Sequence, residues 1–174
     1  MTRTTHRHRG ETLRRVIAAA DQRRDGHLPL HVEGVDEAFA DELDLLGALQ
    51  LRWHTRLGGH IERALVNDPL DLEQAVVTAW RATAEGLPGV RAVVDHHREH
   101  PLDDRMRAAM DKAVLKERAF LAVMAGQASA TDAGAASVGA RLEAKARAGW
   151  QPTAVRGQVG RPTLLHRLRA ALAA

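Results

Sequence analysis

Apolar residues recur every three or four positions along most of this chain, which is the period of an α-helix. The longest uninterrupted pattern runs from Val35 to Leu65. There Phe39, Leu43, Leu46, Trp53, Leu57, Ile61, Ala64 and Leu65 fall on one side of a single helix, together with the polar residues Gln50 and His54. Asp36, Glu37, Asp41 and Glu42 crowd its first turns, where the helix dipole favours acids. Gly58-Gly59 marks a place for a kink, and Asn67-Asp68-Pro69 closes the pattern.

The flanking segments read as helices packed around this one. Residues 11–24 present Leu13, Val16, Ile17 and Ala20 and stop at Asp25-Gly26. Residues 27–34 form an extended connector punctuated by Pro29 and Gly34. Asp71, with Gln74 three residues on, resembles a capping box for a helix carrying Leu72, Val76, Ala79 and Trp80 as far as Gly86. Pro88 sits where a first helical turn accepts it, and Pro101 stops that helix after His100. Residues 103–125 carry Met106, Ala109, Met110, Ala113, Phe120, Leu121 and Met124 on one stripe, with Glu117 in its middle. Ser129 and Asp132 read as caps of a helix through Arg147 whose inward residues are Ala135, Val138, Leu142 and Ala146. A loop over 149–161, anchored by Trp150, leads to a last helix from Pro162 with Leu164, Leu168 and Leu172 beside Arg167 and Arg169.

Short connections favour antiparallel neighbours, so the fold class is an all-α antiparallel bundle of about six to seven helices around one long central helix. The expected organisation is a disordered basic arm over 1–10, a bundle domain over 11–148, and a loop with a basic amphipathic helix over 149–174. Composition agrees: alanine and leucine are abundant, tyrosine is absent, and there are only two Phe and three Trp. The absence of cysteine excludes disulfides, thiolate metal sites and cysteine nucleophiles. No apolar run approaches a membrane span, and the basic start lacks the apolar stretch of a secretory signal, so the expected compartment is the cytoplasm. Lysine appears only at 112, 116 and 145, which reads as the arginine-rich usage of a GC-rich bacterial genome.

Charge changes the picture, because it is segregated. Residues 1–24 carry a net +5, residues 25–104 a net −10 and residues 105–174 a net +8. Basic ends flanking an acidic middle either pack against it, within the chain or across an oligomer, or reach for an anionic partner such as nucleic acid. In the second reading Arg3, Arg7, Arg9, Arg161, Arg167 and Arg169 are the phosphate-binding residues. Leu121 to Gly126 followed by Ser129 resembles the first helix and turn of a helix-turn-helix. Gly160-Arg161-Pro162 resembles part of a minor-groove hook, with Val159 where its leading arginine would stand.

Ten histidines raise metal chemistry. His54, His97 and Glu117 each lie on an apolar stripe, and a buried ionisable group is costly unless paired. Two histidines and a carboxylate are a set that holds a divalent metal. Walking along the helices at ~1.5 Å per residue, however, brings Glu117 level with His54 and His97 nearer His60. The expectation is therefore two clusters: His54 with Glu117 as a buried polar bridge, and His60 with His97 or His100 as a shallow metal site. His96 and His100, four apart, are also spaced to share an ion. No HExxH, no bridging Glu-x-x-His pair and no glycine-rich phosphate loop is present. The functional expectation is a non-enzymatic interaction or regulatory module with a protein partner or a second copy of itself. A nucleic-acid-associated protein and a metal-dependent bundle enzyme are the alternatives.

Overall fold

The computed structural model describes the backbone of residues 2–150 and the side chains of residues 8–150. Over this range the chain is all-helical: α1 Thr2–Arg23, α2 Val35–Ala38, α3 Glu42–Asn67, α4 Leu72–Gly86, α5 Pro88–Glu99, α6 Asp104–Met124 and α7 Ala135–Arg147. No strand occurs among the described residues. The expected C-terminal loop and helix, with Arg161, Arg167 and Arg169, lie outside them. So do the side chains of Arg3 and Arg7.

Two boundaries differ from the sequence reading. Residues 2–10, expected to be a disordered arm, are the first turns of α1. Arg9 explains the part nearest the core: its guanidinium grips both oxygens of Asp44 at 2.8 and 2.9 Å, donates to the Ala38 carbonyl at 2.6 Å and lies over the Phe39 ring. The pattern over 35–65, read as one helix, is broken at 39–41. Phe39 is extended, and Asp41 accepts the Asp44 N–H at 2.7 Å as N-cap of a new helix. An N-cap acceptor satisfies a donor that the first turn leaves free, so the side chain that looked like dipole decoration starts the helix. The helix runs on through Gly58-Gly59 without interruption.

Asp71 and Asp103 cap α4 and α6 in the same way, at 2.9 and 2.6 Å. Gln74 does not complete a capping box; its amide donates to Thr78 instead. Two other helix ends are capped from neighbouring elements. Asp21 of α1 accepts the Gly89 N–H at the start of α5 at 2.7 Å. Arg81 of α4 donates to the carbonyls of Lys145, Ala146 and Ala148 at the end of α7, at 3.0, 2.9 and 2.8 Å.

The core is built on α3. Leu45, Leu46, Leu49, Trp53, Leu57 and Ile61 meet Val76 and Trp80 of α4, Val90, Val93 and Val94 of α5, Met106, Met110 and Leu121 of α6, and Leu142 of α7. Trp53, Trp80 and Trp150 stack edge-to-face in a row, with ring centres 5.7 and 5.6 Å apart. Two helix contacts are close enough to require glycine. A Cβ on Gly89 would overlap the backbone of Ala20 in α1, and one on Gly139 would overlap the backbone of Arg118 in α6.

The second of these contacts fixes how α6 meets α7. Gly139 rests on Arg118 and Arg118 reaches Glu143, so the two helices lie side by side. The connection between them spans residues 125–134. A helix-turn-helix needs a turn of about three or four residues between helices set nearly at right angles. The local resemblance at 121–129 therefore does not extend to the fold.

Candidate functional site

Three constellations lie outside simple core packing. The first is a chain of ionisable side chains through the centre. His54 Nε2 on α3 stands 4.0 Å from Glu117 Oε2 on α6. Glu117 Oε1 is 3.4 Å from Nη1 of Arg91 on α5, and Arg91 Nη2 is 2.6 Å from Asp95. Asp95 takes a two-pronged contact from Arg147 of α7 at 2.7 and 3.0 Å. Arg147 continues to Glu143, which also accepts from Arg98 and Arg118 at 3.0 and 2.9 Å. Four helices are thus tied by one network, and its hub Arg91 is only 2% exposed. Arg91 and Arg147 also lie over the faces of Trp53 and Trp80, 4.7 and 5.0 Å from the ring centres. A weakly hydrated planar guanidinium suits both contacts better than an ammonium would.

The electrostatics of this network favour structure over proton transfer. Burial pushes the Asp95 carboxyl up, but the charges of Arg91 and Arg147 overcome it and hold the group below the ordinary range. Glu143 is likewise raised by burial and more strongly lowered by Arg118, Arg147 and Arg98. Both stay ionised, far from the near-neutral values that suit a general acid or base. Burial lowers His54, against the pull of Glu117, so the ring is neutral at neutral pH.

The second constellation is a histidine array at the end of α5. His96 stacks on His27 and on His100, with ring centres 4.9 and 5.0 Å apart, and meets His97 edge-on at 5.2 Å. Packing is tight: a Cβ on Gly26 would fall 2.8 Å from His96 Cβ. Burial and then the neighbouring imidazoles of His97, His27 and His100 depress His96. His97 is buried and its Nδ1 bonds the Val93 carbonyl at 2.9 Å.

His60 does not join this array as expected. It bonds the Thr83 hydroxyl of α4 at 3.0 Å, and burial, with Arg56 and Arg63 nearby, lowers its pKa. Among the described residues no three His, Asp or Glu side chains are grouped to hold a metal ion. Of the residues expected to pair there, His60 with His97 or His100, the structure gives His60 to Thr83 on α4 and sets His97 and His100 beside His96.

The third constellation is an open groove of about 870 Å³ between α1 and α3. Its walls are Gly10 and Leu13 of α1 and Leu43, Gly47, Ala48 and Leu51 of α3. Arg9–Asp44 and Arg105–Asp41 ion pairs, at 2.8 and 2.9 Å, rim it. Leu51 is 68% exposed there. A side chain added at Gly10 or Gly47 would meet nothing within 4 Å. A smaller recess of about 230 Å³, lined by Leu30, Asp36, Phe39 and Glu42 among others, shares Ala40 and Asp41 with the groove. No helix among the described residues is long and apolar enough to cross a membrane.

The sequence pattern singled out His54 and Glu117, and the structure places them side by side. Arg91, Asp95, Glu143 and Arg147 were missed. Glu143 follows Leu142 on the inward face of α7 and Arg91 follows Val90 on that of α5, which was the available signal. Leu51 was missed because it lies off the stripe of α3. No family model matches the chain, and no curated protein or solved structure matches it at significant similarity.

Proposed function

We propose that this protein is a non-enzymatic helical interaction module whose docking surface is the groove between α1 and α3. The observation that carries this reading is the exposure of Leu51 in a groove with glycine positions on both walls and ion pairs on its rim. Small residues let a partner helix approach closely, an exposed leucine gives it apolar area to bury, and paired rim charges orient it. The metal-enzyme alternative has less support, since the histidines divide between Thr83 and the His96 stack. The nucleic-acid alternative loses Arg9 to Asp44.

A photo-crosslinking residue at position 51 of the full chain, activated in the host cell, tests the reading. The expected result is one or a few discrete protein adducts that disappear when Gly47→Arg fills the groove. Adducts that survive Gly47→Arg, or none at all, within the chain or to another protein, would overturn it.

A further inference from the structure

The groove has a periodicity as well as a shape. Leu43, Gly47 and Leu51 line it at intervals of four residues, over ~12 Å of helix axis. Such a row is the ridge-and-groove unit that a second helix meets with its own every-fourth-residue row. The sequence holds a matching row outside the described residues: Leu164, Leu168 and Leu172, also four apart.

Charge points the same way. Residues 36–44 contain Asp36, Glu37, Asp41, Glu42 and Asp44. Arg105 and Arg9 pair with Asp41 and Asp44, while Asp36, Glu37 and Glu42 have no ion-pair partner among the described residues. Asp36 and Glu42 line the recess that adjoins the groove, so two unpaired carboxylates stand beside it. Residues 151–174 carry Arg156, Arg161, Arg167 and Arg169 and no acid.

The connecting segment is long. The last described residue, Trp150, stacks on Trp80, which stacks on Trp53 of α3, so the chain leaves the fold two ring contacts from the helix that walls the groove. The eleven residues 151–161 span up to ~36 Å when extended, enough to pass around a helix ~10–12 Å across.

We infer that residues 162–174 dock in the α1–α3 groove of their own chain, leucines against Leu43, Gly47 and Leu51 and arginines toward Asp36 and Glu42. This inference rests on the groove being a docking surface and adds its occupant: a cis-acting basic segment that covers the site until a partner displaces it.

Because the natural chain has no cysteine, disulfide trapping in the full-length protein is a clean test. Leu51→Cys with Leu168→Cys should oxidise mainly to an intramolecular disulfide, identified by monomer mass without reductant. Leu70→Cys with Leu168→Cys is the control, since Leu70 is exposed beyond the opposite end of α3, and should trap at least about tenfold less. Adding Gly47→Arg should cut trapping at position 51 about tenfold, and Asp36→Asn with Glu42→Gln should cut it several-fold. Equal trapping at 51 and 70 overturns the inference. So does a disulfide formed only between two chains, which would make a second copy the occupant. So does a trapped fraction indifferent to the acidic substitutions. If trapping fails while the Gly47-dependent photo-adducts persist, the tail is not the occupant but the docking surface stands. If both fail, the groove reading itself falls.

Discussion

The side of the molecule where α5, α6 and α7 meet and the side where α1 meets α3 use the same residue types to opposite ends. On the first, Gly139 brings α7 onto the backbone of α6, and guanidiniums and carboxylates fill the space around it with one another. On the second, Gly10 and Gly47 face open space and the arginine–carboxylate pairs stand at the rim. Glycine in a helix closes a gap only where another backbone arrives to fill it. Where none arrives, it keeps a surface vacant at a cost in helix stability of about 0.5–1 kcal/mol relative to alanine.

Substitutions can break this contrast, beginning with the hub of the closed side. Arg91→Ala should cost about 3–5 kcal/mol in denaturant unfolding, because Glu117 is then left buried without its cation. Arg91→Met with Glu117→Leu should cost clearly less than the single change. A double variant no better than Arg91→Ala would mean that packing, not charge, is what the hub supplies.

Next come the two close contacts. Gly139→Ala and Gly89→Ala should each cost about 3 kcal/mol or more, since the new methyl meets backbone and not a yielding side chain. An unchanged melting temperature for either would show that the helices separate freely.

Acid separates the two sides by pH. The folded-state pKa values of His54, His60 and His96 lie below their ordinary value, first of all because of burial. The unfolded chain therefore takes up more protons as pH falls through about 6.5, and stability present above that value is lost below it. Asp44 on the groove rim is held at about 2, first of all by its hydrogen bonds from Arg9, so its contribution is intact above its ordinary value of 3.8 and is lost as the pH falls from there to about 2. Melting temperature should thus drop between pH 8 and 5, and His54→Gln should flatten part of the slope. A slope that His54→Gln leaves intact would move the effect to the histidine array.

The smallest expected effect has the opposite sign. Gly47→Ala should stabilise the fold by about 0.5–1 kcal/mol, since the site is open and helical. Placed beside Gly139→Ala, it makes one substitution type report on both sides.

The parts legible from sequence were those governed by local rules. Trp53, Leu57 and Ile61 sit in the core as their period requires, and Asp71 and Asp103 cap helices as their positions suggest. What escaped depends on partners distant in sequence. Asp21 caps a helix that begins 67 residues later at Pro88, and Arg81 closes the end of α7. Nothing near either residue in the chain signals this. The break at 39–41 was hidden for a related reason: Phe39 and Leu43 keep helical spacing across it, and the cue lay in Asp41 and the distant grip of Arg9 on Asp44. The ionic network escaped because a charged residue beside an apolar stripe reads as its solvated edge until cations from other helices converge on it, as Arg98 and Arg118 do on Glu143.

The anchorage of Trp150 has a consequence for competition. With Arg81 binding three carbonyls at the end of α7 and Trp150 seated on Trp80, whatever follows is tethered at a fixed point beside the bundle. A short tether holds its cargo at an effective concentration of about 1 mM. A segment whose free affinity for the groove is only about 100 μM would then fill it roughly nine-tenths of the time. An incoming partner would need to exceed its own dissociation constant about tenfold to take half the sites. A single indole and one arginine would in that way set the threshold at which the surface becomes available.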